Sequence, residues 1–299
     1  MLGLSWITGL LRRRPGRLIG LALAVAMAVL LTASLGAFFA ASRGRMTSDA
    51  VASVPIDWQV RLTPGADVAK AIDTVALADG VVRALRVGYA DATGFRSGTA
   101  ATGVQTTGSG VVLGLPPGYA SAFPGEIRPL VGARDGVLLA QQTAANLGAT
   151  VGSTVSIGRP GQPRTSATVD GVVDLPAADS LFQSIGAAPG SAPTAPPDNV
   201  ALLPASMFAQ LFPADAPGVT TQLHVELAQT LASDPGAAFV DVTGRARNLE
   251  SALSGAGLVG DNLAARLDAA RSDAVYAQLL FLFLGRYLLR GLTLTAGQV

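Results

Sequence analysis

The chain has 299 residues, 49% of them hydrophobic and 14% charged, with 21 basic and 20 acidic side chains and no cysteine. A soluble globular chain carries roughly a quarter charged residues, so a mean hydropathy of +0.44 excludes an ordinary cytosolic enzyme. The near balance of charge excludes a nucleic-acid binder, the high hydrophobicity excludes disorder, and the lack of cysteine excludes disulfide frameworks, thiolate catalysis and Cys-based metal sites.

Residues 1–17 carry Arg12, Arg13, Arg14 and Arg17 and no acid, a basic tail. Residues 18–42 (LIGLALAVAMAVLLTASLGAFFAAS) are 25 positions without a charge. At about 1.5 Å per residue a helix of that length crosses a hydrocarbon core of roughly 30 Å with some tilt. A cleaved signal peptide has an apolar stretch of only about 7–15 residues and a small-residue cleavage site, and none follows here, so the segment reads as a retained transmembrane helix. Four arginines before it, against Arg43 and Arg45 after it, predict a cytoplasmic N-terminus. All 20 acids then lie between Thr47 and Asp273, against 13 bases, in a segment expected to be extracytoplasmic.

Residues 43–233 alternate short strands and short helices. IDWQVRL reads as a strand closed by Pro64 and Gly65. Val68, Ala71, Ile72, Val75 and Ala76 share one helical face, and residues 81–89 read as a second strand, which makes a β-α-β unit. Residues 94–110 read as a hairpin or loop, 110–115 as a strand, 141–147 as a short helix stopped by Gly148, and 154–157 as a strand. Residues 165–175 are expected to form one further strand. Residues 186–198 (GAAPGSAPTAPPD) read as an exposed loop. Strands follow at 199–203 and 222–227, with a short helix at 204–211.

Two amphipathic helices are predicted over 234–273. Asp234 caps the first, with Pro235 at its first turn, and Phe239, Val242, Ala246, Leu249 and Leu253 form its stripe. Gly255, Gly257 and Gly260 end it. Asp261 caps the second, whose stripe Leu263, Leu267, Ala270 and Ala274 runs unbroken into the apolar segment 274–285. That segment is too short to span alone, and Arg286 and Arg290 follow it, so 274–299 reads as an incomplete second transmembrane segment.

No residue receives a catalytic, cofactor-binding or metal-ligating role. His224 is the single histidine and stands between Leu223 and Val225 in a strand pattern, which points to a structural or surface role. No serine has a nucleophile-elbow context, and one histidine cannot build a zinc site. The sole lysine, Lys70, lies in a helical pattern, so a phosphate-binding Gly-Lys-Ser/Thr loop is excluded. The glycines at 108, 110 and 114 match a dinucleotide fingerprint only loosely, and the spacing points to turns. Asp170, Asp174 and Asp179, the densest carboxylates, read as solvated loop acids. Arg12–Arg14 set topology and meet lipid headgroups, or dock a cytoplasmic partner.

Four stretches carry a family likeness: GVLLAQQTAANLGATVGSTVSIG (136–158), TSATVDGVVDLPAADSLF (165–182), DPGAAFVDVTGRARNLESALSG (234–255) and GDNLAARLDAARSDAVYAQLLFLFLG (260–285). With the apolar helix before them, the chain resembles the FtsX-like/MacB-type permeases of ABC transporters, in particular the alanine-rich actinobacterial ones. The resemblance implies an α+β fold: a MacB-like periplasmic core domain of two subdomains, set between an N-terminal transmembrane helix and a stalk helix leading into a second membrane segment. It implies a separate ABC ATPase subunit, the lipid bilayer and a second permease copy as partners, no cofactor and no nucleic acid. It also implies mechanotransmission from the membrane helices to the outer domain rather than a broad channel. Such permeases continue with further spans, and GRYLLRGLTLTAGQV resembles none, so a truncation or frameshift near 284–286 is expected. The alternative reading is a membrane-anchored extracytoplasmic binding or sensor module without transport activity.

Overall fold

A computed structural model describes residues 15–99, 103–186, 195–228 and 230–296. The apolar run belongs to one helix, α1 (Pro15–Ala52), which continues ten residues beyond the end of that run at Ser42. No proline follows Pro15 and no cap interrupts it, so the helix persists for about 57 Å at the standard rise. Its apolar part, with a mean hydropathy of 2.0, is not buried, while Ala50 and Val51 at its end are buried in the domain.

Thirteen strands follow among the described residues. In chain order these are β1 (Trp58–Leu62), β2 (Val81–Ala92), β3 (Gly94–Thr99), β4 (Gly103–Thr106), β5 (Gly110–Leu115), β6 (Arg128–Gly132) and β7 (Leu138–Ala140). Then come β8 (Thr154–Arg159), β9 (Gln162–Thr168), β10 (Gly171–Asp174), β11 (Val200–Pro204), β12 (Val219–Leu227) and β13 (Gly257–Asp261). The helices between them are α2 (Val68–Ala76), α3 (Tyr119–Ala122), α4 (Gln141–Leu147), α5 (Ala178–Leu181), α6 (Ala205–Leu211), α7 (Pro235–Leu253) and α8 (Asn262–Ala296). The architecture is α+β, as the resemblance implied.

Nine strands form one mixed sheet in the order β13-β1-β12-β2-β5-β11-β7-β10-β6, and the other four form an antiparallel sheet, β4-β3-β8-β9. The expected β-α-β unit is present but split. β1 and β2 run parallel, with β12 inserted antiparallel between them, Gln59 facing His224 and His224 facing Leu85. Insertion buries β12 on both faces. Leu223, Val225 and Leu227 point into a core shared by α1, α2, α7 and α8, and His224 points into a second core with Tyr89, Tyr119 and Phe123. A third core fills the space between the small sheet, α4 and α6.

Two readings from sequence are corrected. Residues 165–175 are two strands in different sheets: β9 ends at Thr168, the chain turns at Val169–Asp170, and β10 joins the large sheet beside β6 and β7. The turn is pinned where the Val137 amide donates to Asp170 Oδ2 at 2.7 Å and the Asp170 amide donates to the Val137 carbonyl at 2.8 Å. The glycine-rich break after α7 is also more than a break, because 257–261 pair with β1 as an edge strand. Most of the loop expected over 186–198 lies outside the described residues.

Glycine is required at Gly88 and Gly114, which face each other across β2 and β5. A Cβ on either would sit 2.3 Å from the Phe208 ring, so the glycine pair forms the slot that seats α6 on the sheet.

Candidate functional site

The site is the junction where the membrane-leading helices meet the sheet. Three helices converge there. Asp234 caps α7 by accepting from the Ala237 amide at 3.0 Å, and its other oxygen accepts from Arg43 of α1 at 3.3 Å. The same guanidinium donates to Gln278 Oε1 of α8 at 2.8 Å, and Thr47 Oγ1 donates to the Ser233 carbonyl at 2.8 Å. Arg43 therefore ties all three helices at one level. Below it the apolar stripes close. Val242, Ala246, Leu249 and Leu253 of α7 and Leu263, Leu267 and Ala270 of α8 are buried in the core that also takes Ala50 and Val51 of α1, and Ala274 is buried one turn further on. Phe239, expected on the stripe, is only half-buried and lies under the Arg271 guanidinium at 4.7 Å from its ring centre.

The root of α8 is hydrogen-bonded to the residues that lead into β1. Asp261 Oδ1 caps the helix through the Ala264 amide at 2.9 Å, Asn262 Nδ2 donates to the Ile56 carbonyl at 2.9 Å, and the Leu263 amide donates to the Asp57 carbonyl at 3.2 Å. Residue 43 lies beside 278 and residues 56–57 beside 262–263, so α1 and α8 run antiparallel and side by side. At this end α8 follows directly on β13 and is hydrogen-bonded to the two residues that lead into β1.

This root carries two buried carboxyls. Burial lifts Asp57 from 3.8 to about 6, opposed by the Leu227 amide that donates to Oδ2 at 2.7 Å and helped by Glu226 and Asp261. Burial lifts Asp261 likewise to about 6, opposed by the Ala264 amide and the Trp58 indole on the facing strand position.

On the other face of the sheet lies a buried polar chain. Tyr119 Oη is 2.7 Å from His224 Nδ1, Tyr89 Oη is 3.1 Å from His224 Nε2, and Tyr89 donates to the Leu181 carbonyl at 3.0 Å. Because the Tyr89 proton is committed to that carbonyl, Nε2 must carry the imidazole hydrogen and Nδ1 must accept from Tyr119. This assignment holds for the neutral ring, which burial secures by pushing the His224 pKa down to about 3. Gln59 also donates to Leu181 O, at 3.2 Å. Nearby, Glu126 is fully buried, accepts only from Ser180 Oγ at 3.4 Å, and is pushed by burial up to about 8. Burial thus favours its protonated form near neutral pH.

The residues weighed from sequence fall as follows. His224 is structural, though fully buried and doubly hydrogen-bonded. Asp170, Asp174 and Asp179 do not converge: Asp170 pins the Val137 turn, Asp174 pairs with Arg128 at 2.6 Å, and Asp179 sits in the first turn of α5. Gly110 opens β5 and Gly114 forms the Phe208 slot, while Lys70 is exposed on α2. Among the described residues no group of three or more His, Cys, Asp or Glu side chains is placed to hold a metal ion. Arg12–Arg14 lie outside the described residues. Sequence reasoning missed Asp57 and Glu126. Asp57 interrupts the apolar register of Ile56-Asp57-Trp58, a usable signal, whereas Glu126 lies in FPGEI with nothing to mark its burial.

Fold and junction together define the class: an α+β domain set between a long apolar helix and a second long helix packed antiparallel to it. The chain belongs to the family of the MacB-like periplasmic core domain, whose match spans residues 18–271. Among solved structures it is similar to the periplasmic region of MacB from Actinobacillus actinomycetemcomitans, at 10% identity and a TM-score of 0.43, covering 70% of this chain and 91% of that one. It is also similar to the extracellular domain of the ABC-type transporter YknZ from Gram-positive bacteria, at 15% identity and a TM-score of 0.39, covering 68% and 99%. A comparison with curated proteins gives no match.

Proposed function

We propose that the chain acts as a permease subunit of an ABC transporter of the FtsX/MacB type, coupling ATP hydrolysis by a separate ATPase subunit to movement of its outer domain. In this reading residues 1–17 are cytoplasmic, 18–42 cross the membrane, 43–233 form the extracytoplasmic domain, 234–273 are the stalk and 274–299 return to the bilayer. The observation that carries the reading is the antiparallel α1/α8 pair, tied by Arg43 at one level and hydrogen-bonded at the other to the residues that lead into β1. Packed helices with a buried seam transmit axial displacement because interiors are dense and barely compressible. No residue is assigned to chemistry.

A cross-link tests it. The chain lacks cysteine, and a Cβ on Gly44 would lie 3.9 Å from Ser233 Cβ, close to the ~3.8 Å typical of a disulfide. With the chain in lipid nanodiscs beside the ABC ATPase that co-purifies from native membranes, oxidised Gly44→Cys/Ser233→Cys is expected to cut ATP turnover several-fold, and dithiothreitol to restore it. Turnover indifferent to the cross-link, or no ATPase associating at all, overturns the reading. The second outcome favours the alternative, an anchored binding module, which the enclosed cleft described next supports on its own.

A further inference from the structure

A cavity of about 400 Å³ opens where the parallel strands β5 and β11 both end. The volume lies in the range of roughly 300–1,000 Å³ that small-molecule sites occupy, and the place is the crevice beyond strand ends where open sheets bind ligands. The walls are apolar: Leu115, Ile127, Leu138, Leu202, Leu203 and Pro204. Such walls offer water few partners, so the chamber favours an apolar body. At the exposed rim stand Arg134 and Asp135, consecutive and opposite in charge. Among the described residues neither side chain has an ion pair or hydrogen bond. A rim with one unpaired cation beside one unpaired anion matches a ligand end that carries both charges. The guanidinium fork takes a carboxylate and the aspartate an ammonium, each as a charge-assisted hydrogen bond.

We infer that this cleft is a binding site for a small apolar zwitterion, of which a free aromatic amino acid is the simplest example, with its side chain in the chamber and its two charges between Arg134 and Asp135. The inference is independent of the transport reading and holds for either function. Tyr119 lines the same cavity, and its hydroxyl is bonded to His224 in β12, two strands from the root of α8. An occupied cleft therefore touches the sheet from which α8 departs.

The test uses the full chain in nanodiscs and saturation-transfer NMR with three water-soluble probes. L-phenylalanine has both charges, N-acetyl-L-phenylalanine lacks the ammonium, and L-phenylalaninamide lacks the carboxylate. L-phenylalanine is expected to bind at least about five-fold more tightly than either analogue. Arg134→Ala is expected to weaken L-phenylalanine by about the same factor and leave the amide unchanged; Asp135→Ala is expected to do so while leaving the N-acetyl analogue unchanged. Ala205→Trp and Ala120→Trp, which put bulk into the chamber from two of its lining positions, are expected to abolish all transfer with the thermal midpoint preserved. Absence of transfer to L-phenylalanine, equal affinity for the three probes, or transfer that survives whichever filling variant keeps its thermal midpoint overturns the inference.

Discussion

Glu126, His224 and Asp57 are ionisable groups that the fold strips of water, and each answers by favouring its neutral form. For Glu126 the folded-state value is about 8 against an ordinary 4.5. Between those values the folded chain holds a proton that the unfolded chain has released, so this group's contribution to stability falls as pH rises from about 4.5 through 8 and then levels. Glu126→Gln, neutral at every pH, removes that slope. The variant is expected to match the parent near pH 5 and to unfold about 5 °C higher at pH 8; intrinsic fluorescence of the full chain in nanodiscs reads it, and a variant less stable at pH 8 than the parent refutes the assignment. Asp57 and Asp261 act in the same sense between about 3.8 and 6. His224 acts oppositely: its folded value of about 3 lies below the ordinary 6.5, so its contribution is present above 6.5 and is lost as pH falls toward 3. Replacing it by leucine strands the Tyr119 hydroxyl, at a cost of about 2 kcal/mol measurable by denaturant unfolding at pH 7.5. That His224 sits in a strand between apolar neighbours was legible from its flanks. Its two tyrosine partners were not, because they lie 105 and 135 residues away.

Helix boundaries were the most legible elements, since caps and breakers are local chemistry. Asp234 and Asp261 cap the helices they were expected to cap, and α4 begins and ends at the residues read from its pattern, with Gly148 in the left-handed conformation at φ 57°. Strand assignments erred where a contact distant in sequence decided the matter. β13 exists because β1 lends it a partner, and 165–175 divides because the Val137 turn takes hold of Asp170. Two element-level outcomes are expected. Asp234→Ala removes a cap and a half-exposed ion pair, and is expected to cost about 1 kcal/mol and to speed hydrogen exchange at the Ala237 amide, whereas Arg43→Ala, which loses only exposed polar contacts, is expected to cost less. Leu267→Ala opens a cavity in the fully buried seam of α8 and is expected to cost about 2–5 kcal/mol in denaturant unfolding. A seam that tolerates this change is not a rigid transmitter.

Across the whole molecule, composition exposed the partition into apolar helix and acidic domain, and four ordered stretches exposed the family. The nine-strand order was beyond the sequence, because period-2 patterning marks a strand without naming its neighbours. The Phe208 slot illustrates the limit. Gly88 and Gly114 read as strand glycines anywhere in the chain, and only the pairing of β2 with β5 makes them one feature. Gly114→Ala is expected to unseat α6 and lower the thermal midpoint by several degrees, and an unchanged midpoint would show the slot to be slack.

The adjacency of residues 56–57 and 262–263 has a topological consequence: the chain enters and leaves the outer domain at one point. The domain is thus an excursion from a helical hairpin, with a single doorway. A module with adjoining ends can be excised or transplanted without stretching its surroundings. The doorway lies inside the core rather than at its surface, since Ala50 and Val51 on one side and Leu263 through Ala274 on the other complete the packing around Trp58. A fragment cut at 47 and 274 keeps that wall and is expected to fold in solution, whereas one cut at 58 and 261 exposes it and is expected to aggregate.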